Sequence, residues 1–285
     1  MVSSILSAAF GFSNGNTSSA NDGAEKLCIE VGQFHIALTI SNASGDLVSL
    51  FELYTSKQTT DPAFLQSVLA SEKLIGIQFS DVIFIHNQKE MVLVPSSLYK
   101  ENLNAILIDT IHGDQKEYSI SVDDVHQWKL HNVFGSSTEM LELVLDKYPQ
   151  ARQVQYMSAC LRGIFRTRGA GVDQRIKLYV LPSCFNLVVL KGNQLQMAKS
   201  FFYETPEDII YHLMNVVDKN GLNTSEVLVE VSGLLDSSSG TWKELCKFFL
   251  NVSAEKPSSF SAENANTTDL PSHYFTPFLL VPTCV

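Results

Sequence analysis

Arg175-Ile176-Lys177-Leu178-Tyr179-Val180-Leu181-Pro182-Ser183-Cys184-Phe185-Asn186-Leu187-Val188-Val189-Leu190-Lys191-Gly192-Asn193-Gln194 is the stretch from which the fold can be read. Ile176 to Leu181 is short, β-rich and apolar, and Phe185 to Leu190 is a second apolar run. Gly192-Asn193 follows, a pair that tolerates the positive φ of a tight hairpin. Leu195 to Tyr203 then reads as the third strand of a meander. Thr205-Pro206-Glu207-Asp208 predicts a helix start: a capping residue, Pro at the first helical position, and an acid three residues after the cap. Ile209, Ile210, Leu213, Met214, Val216 and Val217 recur at helical spacing, and Asn220-Gly221 supplies the stop. Glu226 to Val231 reads as a buried parallel strand reached by a crossover, closed by Ser232-Gly233. A helix from about Ser238 to Leu250 completes the unit.

Working outward, the N-terminal half repeats this order. Leu27 to Val31, Phe34 to Ile40 and Leu47 to Leu53 give three strands. Asp61-Pro62 opens a helix, and Asp81 to Ile85 is a short buried strand. We read a duplicated βββαβα unit in an α/β protein of two lobes, residues 26–168 and 169–285. The first lobe carries extra material: a strand from Met91 to Val94, a helix through about Ile108, and an inserted hairpin within 111–134. A helix capped by Ser137 and another from Val154 to Arg166 close it. Residues 1–25 read as a flexible tail, because 11–25 are rich in Gly, Ser, Asn and Thr. Residues 253–272 read as a loop, and 273–285 as a segment packing back.

Composition narrows the function classes. Of 285 residues, 45% are hydrophobic and 18% charged, which suits an ordinary globular core. The formal net charge of −10 argues against general nucleic-acid binding. No apolar run reaches the roughly 18 residues of a membrane span. The first Lys or Arg is Lys26, which argues against a signal peptide. The five cysteines form no CxxC pair and read as buried reduced thiols of a cytoplasmic protein. The seven histidines show no HxH or HExxH spacing, so no metal is expected, and no P-loop or GxSxG is present.

Two such units joined by a helix are the plan of the actin-like, or ribonuclease H-like, ATPase fold. The chain also resembles an uncharacterised bacterial family of actin-like ATPase proteins. The resemblance covers roughly 26–282. It is carried by Tyr179-Val180-Leu181, Phe185 to Gly192 and Tyr203-Glu204-Thr205-Pro206-Glu207-Asp208, with Leu93-Val94-Pro95 and Phe275-Thr276-Pro277-Phe278. The fold further resembles the cytoplasmic scaffold proteins of pilus assembly and type II secretion, some of which have lost catalysis.

The resemblance implies Mg-ATP in an interlobe cleft, with an Asp-x-Gly turn between the first two strands of each lobe placing a carboxylate on magnesium and a backbone N–H on phosphate. Here the turns read Val31-Gly32-Gln33-Phe34 and Pro182-Ser183-Cys184, neither with a carboxylate, and Pro182 lacks a donor. Candidate cofactor contacts are Gly32, Gln33, Ser183, Ser232 and Gly233, the last two at the carboxyl end of a parallel strand. All five arginines fall between Arg152 and Arg175. Arg162, Arg166 and Arg168 are candidates for an anion or acidic protein partner, against a plain reading as salt bridges. The expectation is a non-catalytic interaction or scaffold protein with no catalytic residue, cofactor or metal. The alternative is an active ATPase or sugar-kinase-like phosphotransferase, which a carboxylate supplied from Asp46 or Asp236 would favour.

Overall fold

In the computed structural model, residues 8–13, 25–113, 117–167, 172–255 and 270–284 are described. The chain divides into two units. The first comprises 1–165 with 261–268 and 281–285; the second comprises 166–260 with 269–280.

The second unit follows the sequence closely. Strands β10 (Gln174–Leu181), β11 (Cys184–Lys191) and β12 (Gln194–Phe202) form an antiparallel meander. Gly192 holds φ +54° in the hairpin between β11 and β12, which is why a glycine stands there. Helix α5 (Pro206–Lys219) starts where Asp208 Oδ2 accepts the N–H groups of Glu204 and Thr205, both at 2.9 Å. It leads to β13 (Leu228–Gly233), parallel to β10. Helix α6 (Gly240–Phe248) leads to β14 (Asn251–Ala254), parallel to β13. The five-stranded order is β12-β11-β10-β13-β14.

The first unit has the same plan. Strands β2 (Glu25–Gly32), β3 (His35–Asn42) and β4 (Val48–Thr55) make the meander, and helix α1 (Pro62–Leu69) is capped by Asp61, whose Oδ1 accepts Phe64 N–H at 2.7 Å. Strand β5 (Phe79–Asn87) runs parallel to β2, and β9 (Arg152–Gln155) parallel to β5. The order β4-β3-β2-β5-β9 matches β12-β11-β10-β13-β14 strand for strand, including which pairs are parallel. The internal duplication is thus visible in the backbone.

Each sheet buries one face against helices. In the first unit Leu27, Ile29 and Val31 of β2 pack with Leu65 and Val68 of α1 and with Met140 and Val144 of α3 (Thr138–Lys147). In the second, Ile176, Leu178 and Val180 of β10 pack with Ile209 and Leu213 of α5 and Leu245 of α6. Each fully buried Leu or Ile contributes about 1.5–3 kcal/mol.

Four expectations are corrected. Phe10–Ser13, expected in the tail, is strand β1, paired antiparallel to β4. Arg152–Gln155 is β9, so the helix expected from Val154 is α4 (Tyr156–Thr167). Asn251–Ala254 is β14, which runs into the expected loop; 256–269 lie outside the described residues. The insertion is larger than a hairpin. Strand β6 (Met91–Pro95) joins β7 (Tyr118–Val125) and β8 (Leu130–Ser137) in a three-stranded sheet ordered β6-β8-β7, backed by Ile108 of α2 (Asn104–His112). The C-terminal helix is α7 (Thr276–Cys284). Within the first unit, the buried Lys26 ammonium donates to Pro282 O at 3.1 Å.

Candidate functional site

In open α/β sheets, ligands gather at the carboxyl ends of the parallel strands. In the first unit those ends belong to β2, β5 and β9, and the register sets Gly32 beside Asn87 and His86 beside Gln155. Glu30, 2% exposed, lies two residues before Gly32. Its Oε1 accepts Asn87 Nδ2 at 2.7 Å and meets His35 Nε2 at 3.0 Å. The His35 ring is fully buried and covers Gly32: a Cβ at Gly32 would fall 2.0 Å from His35 Cε1. Gln33 O accepts the N–H of Thr60 at 2.7 Å.

A second polar group lies along the same strand ends. His86 Nε2 meets Gln153 Oε1 at 3.1 Å, and Ser136 Oγ donates to the same oxygen at 3.3 Å. Burial pushes the His86 pKa down to about 4, with the Gln153 contact opposing. Asp123 Oδ2 accepts Gln155 N–H at 2.8 Å, and burial raises its pKa above the usual carboxylate range. Gln155 Oε1 accepts Asn132 Nδ2 at 3.0 Å and Met157 N–H at 2.5 Å. The arrangement holds donors and acceptors in fixed directions.

In the second unit the hairpin between β10 and β11 is Pro182-Ser183. Ser183 holds φ +59°, an uncommon conformation for a residue with a Cβ, and its carbonyl accepts Tyr203 N–H at 3.2 Å. Gly233 holds φ +86°, and a Cβ there would fall 2.0 Å from Val180 O. Ser232 Oγ meets Glu255 Oε2 at 3.3 Å. Glu255 also pairs with the buried Lys177, which sits 3.2 Å from Glu230; Arg175 lies 3.4 Å from Glu230. Opposite charges on neighbouring strands thus compensate one another below the strand ends.

The candidates named from sequence divide between the two units, and in the second unit Gly233 is paired with Val180 of β10, close in sequence to Ser183. Gly32 and Gln33 lie at one hairpin, Ser183 at another, and Ser232 and Gly233 at the end of β13. Arg162 and Arg166 share α4, and Arg162 donates to Asp124 O at 3.0 Å. Arg152 grips Asp81 at 3.1 and 2.9 Å, which lowers the Asp81 pKa, and Arg175 meets Glu230 as above. Arg168 lies outside the described residues. Asp46 follows Gly45 in the turn between β3 and β4, so the length of β3 separates it from Gly32. Asp236 lies three residues past Gly233, where its Oδ1 accepts Ser238 N–H at 2.6 Å. That turn holds its pKa below the usual range.

Sequence reasoning missed Glu30 and Asn87. The signal for Glu30 was present: Glu30-Val31-Gly32 has the acid-x-Gly spacing of the resembled turn, with Glu in place of Asp. The acid belongs to strand β2 and not to the turn, so the turn residues alone do not disclose it. Asn87 is identified only by the β2–β5 register. The His35 ring fills the space over Gly32, and two neighbours already occupy Glu30 Oε1. Among the described residues, no group of three or more His, Cys, Asp or Glu is placed to hold a metal. No described helix is long and apolar enough to cross a membrane.

A family model described as a protein of unknown function (DUF3822) matches residues 14–252. No curated protein matches. Among solved structures, the chain is similar to a Bacteroides thetaiotaomicron protein with actin-like ATPase fold and unknown function. The TM-score is 0.75 at 18% identity, covering 92% of this chain and 97% of that one. It is also similar to a chain of a PilM-PilN type IV pilus biogenesis complex, with TM-score 0.57, 11% identity and coverage of 90% and 97%. The ethanolamine utilization protein EutJ from Carboxydothermus hydrogenoformans gives 0.52 at 11%, with coverage of 92% and 90%. At these identities the likeness shows the fold.

Proposed function

We propose a role for this chain from one premise: it belongs to the DUF3822 family of proteins of unknown function, and it has an actin-like ATPase fold. The role is a non-catalytic interaction scaffold, in which the fold serves as a shape that holds a protein partner. One observation carries the reading. The backbone at Gly32, which would have to stay open for phosphate, lies under the buried His35 ring, and Glu30 is held by His35 and Asn87. Pro182, without an N–H, weakens the second hairpin in the same sense. The PilM-PilN complex is a precedent for a protein partner on this fold.

Glu30 also favours a second reading, an ATPase, because its acid-x-Gly spacing is the one the fold uses for its metal anchor. Calorimetric titration of the whole chain with Mg-ATP and Mg-ADP, with released phosphate assayed in parallel, separates the two. The scaffold reading expects neither heat of binding nor phosphate. Micromolar binding with turnover that Glu30→Gln abolishes would establish the ATPase instead.

A further inference from the structure

Helices α5 and α6 pack together on the core of the second sheet, through Ile209 and Leu213 of one and Leu245 of the other. A groove of about 320 Å³ opens where their first turns meet. It is lined by Pro206, Glu207 and Ile210 of α5 and by Gly240, Thr241 and Glu244 of α6, all within the second unit. That volume is at the low end of the range in which proteins hold small ligands, and it gives room for one long side chain. Pro206 and Ile210 supply apolar surface, Thr241 a hydroxyl, and each helix one carboxylate. A Cβ at Gly240 would stand in open space, so the missing side chain leaves the groove its room.

We propose that this groove takes an arginine side chain of a protein partner. The inference rests on the scaffold reading above and names one place where such a partner is held. Charge decides the sign of the guest. Helix N-termini favour anions, each with about half an elementary positive charge. Glu207 and Glu244 bring two full negative charges to the groove and reverse that sign. Asp208, whose carboxylate accepts the N–H groups of Glu204 and Thr205, adds to it in the first turn of α5. The net charge of −10 draws a basic partner toward the chain from further away.

The chain's own cation at this place is easily exchanged. Lys247 pairs with Glu244 from three residues along α6, and its side chain is 65% exposed. Exposed pairs of this kind contribute little, so an incoming cation displaces the lysine at small cost.

The shape of the donor set selects arginine over lysine. A guanidinium is a planar fork that meets carboxylates from two helices together, whereas an ammonium is a compact, strongly hydrated point charge. The arginine stem is apolar and covers surface of the kind that Pro206 and Ile210 offer, while its head stays with the acids. The Thr241 hydroxyl oxygen is a further acceptor for the fork. The partner's backbone stays outside in water, so one side chain is all that the groove has to order.

The test is an NMR titration of the whole chain, with isotope-labelled isoleucine methyl groups, against N-acetyl-arginine methylamide. The expectation is a saturable shift of the Ile210 methyl signal. The citrulline analogue has the same shape without the charge and is expected to bind about tenfold more weakly, the scale that two partly exposed ion pairs supply. The lysine analogue and spermidine are expected to bind more weakly than arginine as well. Glu207→Gln with Glu244→Gln is expected to lose about tenfold for arginine at an unchanged urea midpoint. Gly240→Met keeps both acids, fills the groove and is expected to abolish the shift. Equal binding of citrulline would overturn the proposal, as would equal binding of lysine or spermidine. So would the lack of a saturable shift, or a shift that survives Gly240→Met. Each of these results leaves the scaffold reading to another surface, whereas Mg-ATP turnover would defeat that reading whatever the titration gives.

Discussion

Acidification from pH 7 to pH 4 tests the buried polar group at the end of β5 most directly. His86 is 4% exposed, its ring 4.3 Å from Phe84 and 5.4 Å from Phe134. Its pKa falls from 6.5 to about 4 in the folded chain. Between those values the unfolded chain binds the proton and the folded chain does not, so stability rises with pH and is lost as pH falls. Below pH 4 both states are protonated and the loss is complete. A shift of that size corresponds to about 3 kcal/mol at 1.36 kcal/mol per unit. Asp123 acts in the opposite sense, since its raised pKa makes the folded state take up a proton first near the unfolded carboxylate range. Asp81, with its lowered pKa, acts only below that range. Urea unfolding of wild type and His86→Leu at half-unit pH steps isolates the histidine, because both carboxylates cancel in the difference. The difference in stability is expected to change by about 3 kcal/mol between pH 6.5 and 4. Parallel curves would refute the assignment of a buried neutral imidazole.

Other expectations follow from the same geometry. Gly233→Ala places a Cβ against Val180 O at positive φ and is expected to cost about 1–3 kcal/mol or more, read as a lowered urea midpoint. An unchanged midpoint would show that the β13 turn relaxes freely. Lys177→Met leaves Glu230 and Glu255 without their shared cation; since both carboxylates keep some solvent, a loss of about 2 kcal/mol is expected in thermal or urea melts. Cys246 is exposed, whereas burial pushes the Cys28 thiol up to about 12. A thiol reagent on the native chain is therefore expected to modify Cys246 and to spare Cys28 until the chain unfolds, which peptide mass mapping would check.

The parts of the fold that sequence disclosed are those whose signals are local. Gly192 needs positive φ, Asp208 closes a cap and Asp61 opens a helix, each within a few residues. The strands it missed, β1, β9 and β14, are each four residues long and lie at sheet margins. Arg152-Gln153-Val154-Gln155 carries one apolar residue and becomes a strand only because β5 lies beside it. The candidate site divides in the same way. Both hairpin turns fall where sequence placed them. The partners that define their chemistry, Asn87 on Glu30 and Glu255 on Ser232, are 57 and 23 residues away in the chain, and no local pattern reports them.

The duplicated backbone carries different chemistry at matched positions. Relative to the hairpin, Glu30 of β2 corresponds to Tyr179 of β10, and Cys28 to Lys177. One unit buries a carboxylate just below its hairpin, held by an imidazole and an amide; the other buries a tyrosine there and moves its charges two residues down the strand. Both solutions leave the β-strand order untouched, because the core face of each sheet is set by Leu27, Ile29 and Val31 in one case and by Ile176, Leu178 and Val180 in the other. Residues that fix the fold alternate along each strand with residues that fix the chemistry. The second set can therefore change without disturbing the first. Each unit can therefore keep the same strand order while it carries its own residues at the matched positions below the hairpin.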